Sequence, residues 1–176
     1  MTNFNTTVDK QSPLYQENLI KTARYNLLVV IIFTILNLVM LLAGSDRYFL
    51  FSTTIPYYLT FFGYMFDHYT VSTYTLTGLV MAAVFVAAYV ACWFLCKKHI
   101  GWYITALVLI SVDTLVMAVL ILWSGNLSEW IMEIVFHVWV IISLSRGIAA
   151  ANRLKHFVPA PEPPQYTIYT DPESDF

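Results

Sequence analysis

Four long apolar runs, separated by short polar stretches, dominate the pattern of hydrophobic and polar positions along the chain. They cover residues 25–43, 76–96, 102–123 and 130–150. A helix needs about 20 such residues to cross the hydrocarbon core of a bilayer. Because hydrocarbon offers the backbone no hydrogen-bond partner, each run is expected to be a helix. The pattern therefore predicts an all-α fold, an integral membrane four-helix bundle.

The composition of the chain agrees with this fold class. Hydrophobic residues make up 59% of the 176 positions and charged residues 11%, against about 25% charged residues in soluble domains. A soluble domain or a disordered chain would need more charge. The net charge of -2 and the lack of a basic face argue against a nucleic-acid partner. We recognise no catalytic or cofactor-binding motif, and therefore predict no catalytic residues and no cofactor.

The basic residues predict how the chain is oriented, because short cytoplasmic loops of membrane proteins are enriched in Lys and Arg. With both termini in the cytoplasm, every one of the nine Lys and Arg residues except Arg47 lies on that side or within one helical turn of it. These residues are Lys10, Lys21, Arg24, Lys97, Lys98, Arg146, Arg153 and Lys155. The sequence thus predicts a multi-pass protein of the cell membrane with both termini cytoplasmic.

Residues 44–75 form an outer segment that is unusually rich in aromatic side chains. A segment of this composition is not expected to lie free in water. The run Ser52-Thr53-Thr54 before Pro56 predicts the start of a helix, since Pro is tolerated in a first turn. Gly63 and Asp67-His68 indicate where that helix weakens or ends.

A fifth crossing by residues 49–66 would reverse everything that follows and place Lys97 and Lys98 outside. The charge rule therefore favours an interfacial or re-entrant helix on the outer face. Such a helix could be a lid over the bundle or the mouth of a site for a lipid or another apolar ligand. Asp67 and His68 are a candidate site on this outer face.

The parts of the chain outside the apolar domain, residues 25–150, are predicted to be cytoplasmic. Residues 1–24 form an N-terminal arm, of which residues 14–24 could be an amphipathic start to the first helix. Residues 151–176 form a Pro-rich, acidic tail. Its run Pro163-Pro164-Gln165-Tyr166 matches a four-letter pattern read by WW domains, although a spacer is the simpler interpretation.

Ionisable residues at membrane depth are the most informative side chains, because charge is costly in lipid. Asp113 lies near the middle of the third run. His137 belongs to the fourth run and lies about 10 Å below the outer end of that run. Glu133 is one turn above His137 on the same face, and Asn37 occupies the same half of the bundle. The short connection between the last two runs makes them antiparallel neighbours, so that Asp113 and His137 can touch.

Three hypotheses fit the cluster of Asp113, Glu133, His137 and Asn37. The first is structural, with a buried Asp–His pair fixing the order of the helices. The second is a path for protons or ions. The third is a metal or catalytic site, with Glu133, His137 and Asp113 as ligands or as acid–base groups facing a lipid.

These hypotheses lead to different functions. Under the structural hypothesis, the protein is a non-enzymatic membrane scaffold or partner subunit, and this is the interpretation we favour. The alternatives are a small transporter or channel component that moves protons or ions, and a membrane-embedded enzyme or binder that acts on a lipid. The expected partners are membrane lipid, another membrane protein or a second copy of the chain.

Small residues at helical spacing predict close approach between helices. Gly78-x-x-x-Ala82 and Gly147-x-x-x-Ala151 follow this rule. Packing within one chain is the simplest interpretation of both motifs, and a homo-oligomer interface would use them equally well.

Several stretches are similar to uncharacterised small membrane proteins of anaerobic Gram-positive bacteria. The stretches are Tyr25-Asn26-Leu27-Leu28 through Asn37, Tyr48-Phe49-Leu50-Phe51-Ser52, Ile55-Pro56-Tyr57, Glu133-Ile134-Val135-Phe136-His137-Val138-Trp139 and Gly147 with the basic residues after it. The resemblance covers most of the chain except the tail. It implies a bacterial cytoplasmic membrane protein and suggests no activity.

Overall fold

The computed structural model describes residues 12–45, 51–69, 73–125 and 127–157. It contains the helices α1 (Pro13–Leu42), α2 (Thr54–Tyr69), α3 (Tyr74–Leu95), α4 (Gly101–Ser124) and α5 (Leu127–Lys155). The beginning of the predicted N-terminal arm and the Pro-rich tail from residue 158 onward, with its WW-type pattern, lie outside the described residues.

Four of these helices, α1, α3, α4 and α5, are long and apolar enough to cross a membrane. They correspond to the four predicted runs, and together they suggest a membrane protein. Helix α1 is longer than its apolar run, because it begins at Pro13 and includes residues 14–24, which the sequence suggested as a start of the first helix. The hydroxyl of Ser12 caps it by accepting the N–H of Tyr15 at 3.3 Å, and Pro13 suits the first helical position.

The interior of the bundle is formed by α1, α4 and α5, with one face of α3. Leu27, Ile110, Val140 and Leu144 are fully buried there. The outer surface is equally apolar, since Leu122 is 84% exposed and many other large aliphatic side chains are also exposed. Such a surface is expected where lipid or another membrane protein covers it.

Glycines allow two helix pairs to approach closely. A Cβ atom on Gly78 of α3 would collide with the backbone oxygen of Leu59 in α2. A Cβ atom on Gly63 of α2 would lie 2.6 Å from the backbone oxygen of Tyr74. One on Gly147 of α5 would lie 2.6 Å from Cβ of Ala23 in α1. Gly78 and Gly147 from the small-residue motifs therefore serve packing within the chain.

Helix α2 begins inside the bundle and ends at its surface. It starts at Thr54, where the sequence predicts a helix start, and runs through Gly63 to Tyr69. Ser52, Thr53 and Thr54 are buried, whereas Tyr64 in the second half is 56% exposed. The N-terminal end of α2 is therefore an interior structure, which is not what a lid lying across the bundle would show.

Candidate functional site

Asp113 binds the N-terminal end of α2. It lies at the middle of α4 and its side chain is 1% exposed. Its Oδ2 accepts the N–H of Thr54 at 2.8 Å, and its Oδ1 accepts the N–H of Ile55 at 2.7 Å. The first N–H groups of a helix have no partner within that helix. Asp113 thus caps α2 from a different helix, and its carboxylate faces the positive end of the α2 dipole.

His137 of α5 completes the site and is fully buried. Its Nε2 lies 3.0 Å from Oδ2 of Asp113, so that the contact predicted from the sequence is present. Its Nδ1 lies 2.9 Å from the backbone oxygen of Glu133. A carbonyl oxygen only accepts hydrogen bonds, so Nδ1 carries a proton in this arrangement.

The two hydrogen bonds of His137 fix the number of protons in the site. An ionised carboxylate also only accepts, so the bond to Asp113 needs a second proton between Nε2 and Oδ2. The pair is therefore either an imidazolium beside a carboxylate or a neutral imidazole beside a carboxylic acid. Its net charge is zero whichever atom carries the proton, which avoids an uncompensated charge in the interior.

Helix α1 holds the residues just before α2. Nδ2 of Asn37 donates to Oγ of Ser52 at 2.7 Å. Oγ1 of Thr34 accepts the N–H of Thr53 at 3.0 Å and donates to the backbone oxygen of Val30 at 2.7 Å. Polar groups of α1 therefore fix residues 52 and 53, whereas those of α4 fix residues 54 and 55.

The site is thus a set of side chains from α1, α4 and α5 that surround the start of α2. The sequence identifies Asp113, His137 and Asn37 as members of one cluster, but it misses Thr34 and residues 52–55 as their counterpart. The signal that could have found them is the polar run before Pro56, which we read only as a local cap. The Thr54 hydroxyl is buried and has no hydrogen-bond partner in the described part of the chain.

Glu133 takes part in two ways. Its backbone oxygen binds His137, and its buried side chain lies near the tyrosines of α2. The carboxyl group of Glu133 lies within electrostatic range of Tyr57 and Tyr58. It therefore faces the tyrosine side of the first turns of α2, whereas Asp113 binds the N-terminal end of that helix.

A metal site is not evident in this cluster. No three His, Cys, Asp or Glu side chains come together as ligands within the ranges that the structure describes. Asp113 and His137 touch each other, and both oxygens of Asp113 already accept hydrogen bonds. Glu133 contributes its backbone oxygen to His137, and not a third ligand.

Asp67, one of the two candidate outer-face residues, caps α3. Its Oδ1 accepts the N–H of Tyr74 at 2.7 Å, and its Oδ2 accepts the N–H of Thr75 at 2.8 Å. Hydrogen bonds from the Thr75 hydroxyl and from these N–H groups hold the pKa of Asp67 below its usual value. His68 is exposed in the last turn of α2. The described contacts of Asp67 are therefore those of a helix cap.

The chain matches no family model, no curated protein and no solved structure.

Proposed function

We propose that the protein is a multi-pass protein of the cell membrane in which α1, α3, α4 and α5 cross the bilayer and both termini are cytoplasmic. Helix α2 is then re-entrant from the outer face. The position of Asp113 supports a re-entrant helix that reaches deep into the membrane, because Asp113 is about 17 Å from either end of α4 at 1.5 Å per residue. The start of α2 binds Asp113 directly, so it reaches the middle of the membrane.

We propose further that the protein acts as a non-enzymatic scaffold or partner subunit. The observation that carries this proposal is that the described hydrogen bonds of Asp113, His137 and Asn37 are made within the protein, to the start of α2, between Asp113 and His137, and to the backbone oxygen of Glu133. A substrate or an ion would have to compete with these internal bonds. The cluster therefore supports the shape of the bundle, and the described grooves are lined by other residues.

The outer end offers the surface that a partner would contact. Tyr64 and Phe66 of α2 are more than half exposed, and Trp123 of α4 is 80% exposed. Aromatic side chains are enriched in protein interfaces and at the membrane surface. Because the Asp113 contacts fix α2, they also fix the position of this aromatic surface.

Reconstitution into liposomes with a trapped pH-sensitive dye tests the scaffold proposal. We expect the wild-type protein to leak protons no faster than protein-free liposomes, and Asp113→Asn and His137→Gln to leave that rate unchanged. Thr114→Val is the matched control, because its hydroxyl donates to the adjacent turn at Ile110 and makes no other hydrogen bond among the described residues. A flux that is present in wild type and in the control but lost in both site variants would contradict the scaffold proposal.

The second candidate is a transporter or channel component that moves protons. It is favoured by the shared proton of Asp113 and His137, because carboxylate–imidazole pairs inside membranes serve as proton relays. In this case the pair would lose its proton to one side of the membrane and regain it from the other. The liposome experiment separates the two candidates, since only this one predicts a flux that depends on both residues.

A further inference from the structure

A basic groove lies at the opposite end of the bundle from the aromatic surface. It has a volume of about 280 Å³ and is lined by Lys21, Arg24 and Tyr25 of α1 and by Trp93 of α3. These residues stand where the apolar run of α1 begins and where α3 ends. The groove therefore combines two cations with two aromatic rings at the level of a membrane surface.

Lys21 and Arg24 are both available to bind a ligand in this groove. The Arg24 guanidinium lies 5.2 Å from the centre of the Trp93 ring, a cation–π distance that holds it in place. Its Nε is buried and has no hydrogen-bond partner among the described residues. Lys21 is 3.9 Å from Glu17, with both side chains more than half exposed, and such surface ion pairs are weak.

We propose that this groove binds the phosphate of an anionic phospholipid in the cytoplasmic leaflet. The planar guanidinium of Arg24 can bind two phosphate oxygens, and Lys21 adds a mobile positive charge. Basic pockets between membrane helices on the cytoplasmic side are suited to anionic headgroups. The rings of Tyr25 and Trp93 would pack against the glycerol and the upper part of the acyl chains.

The surroundings favour a lipid over a soluble phosphate compound. Tyr25 is 68% exposed and Phe94, next to Trp93, is 58% exposed, so the groove adjoins an apolar surface that acyl chains can cover. Lys97 and Lys98 follow Trp93 by about one helical turn and add positive charge at the same end. The inference rests on the proposed insertion into a membrane, but not on the proposed role of α2.

Native mass spectrometry of the full chain tests this site, using phosphatidylglycerol and phosphatidylcholine with identical acyl chains. We expect the wild-type protein to retain phosphatidylglycerol preferentially. Lys21→Gln and Arg24→Gln should each lower that preference about fivefold, because each removes a charge that lies directly beside the bound phosphate. Lys155→Gln, an exposed basic residue in the last turn of α5, is the matched control and should leave the preference unchanged.

Three results would overturn the inference. They are an unchanged preference in Lys21→Gln and Arg24→Gln, an equal loss in Lys155→Gln, and displacement of the lipid by glycerol phosphate, which would identify a soluble ligand. If Arg24→Gln does not fold, the result for Lys21→Gln tests the inference by itself, because the Lys21 side chain is exposed. Recovery of the native protein without detergent would instead contradict membrane insertion, so the two failures are distinguishable.

Discussion

At the scale of single residues, Asp113 of α4 joins helices α2 and α5 in the site. Its carboxylate accepts two N–H groups of α2 and faces His137. Because the two carboxylate oxygens serve three hydrogen-bond partners, no other side chain can make the same set of contacts. Replacement of this side chain therefore affects the backbone of one helix and the side chain of another at the same time.

Asp113→Asn is expected to destabilise the protein by about 3 kcal/mol, as when one partner of a buried pair is removed. The Asn amide would direct its own N–H groups toward Ile55, and His137 would face an oxygen without the shared proton. An SDS titration followed by tryptophan fluorescence measures the free energy of unfolding. The Thr114→Val variant should change it by less than about 1 kcal/mol, and an equal loss in both variants would contradict this account.

Asp67 gives a prediction for pH dependence. Its pKa is lower in the folded protein than the ordinary value of 3.8, so its stabilisation of α3 is present above that value and is lost as the pH falls through the lower folded pKa. We expect Asp67→Asn to speed hydrogen exchange at Tyr74 and Thr75 near neutral pH. The difference from wild type should shrink below pH 3.8.

The amides of α4 provide the internal control for this measurement, because Asp67 does not contact them in the described hydrogen bonds. They should exchange at the same rate in both proteins. A difference at Tyr74 that stays constant down to the lowest pH would show that the charge of Asp67 does not stabilise the start of α3.

At the scale of helices, the pairing of α2 with α3 depends on glycine. Gly78→Ala should destabilise the protein by about 1–3 kcal/mol, because its Cβ would collide with the backbone of Leu59. Gly101→Ala is the control, since a Cβ there meets nothing within 4 Å. Thermal unfolding in detergent measures both, and a Gly78→Ala protein as stable as Gly101→Ala would exclude a tight contact.

The sequence predicts the elements of this fold better than their arrangement. The four apolar helices follow from the length of the apolar runs, and the contact between Asp113 and His137 follows from depth and a short connection. The burial of Ser52-Thr53-Thr54 does not follow from the sequence, because the partners of this run, Asn37, Thr34 and Asp113, belong to two other helices. A polar run before a proline looks the same whether it faces water or the interior of a bundle.

At the scale of the whole molecule, the orientation in the membrane can be tested by labelling. After Cys92 and Cys96 are replaced by Ala, we expect Ser45→Cys to react with an impermeant thiol reagent in intact cells. Lys98→Cys should react only after permeabilisation, because positive charge is retained on the cytoplasmic side. Reaction of Lys98→Cys in intact cells would reverse the proposed topology.

The cap on α2 also determines the order in which the molecule can be assembled. Thr54 and the residue that binds its N–H are 59 positions apart, so the ribosome completes α2 well before α4. In the proposed topology, the N–H groups of Thr54 and Ile55 would have no acceptor within the lipid until α4 had been inserted. We therefore expect α2 to enter the membrane late in biogenesis, and a nascent chain that stops after α3 to leave this helix at the outer surface.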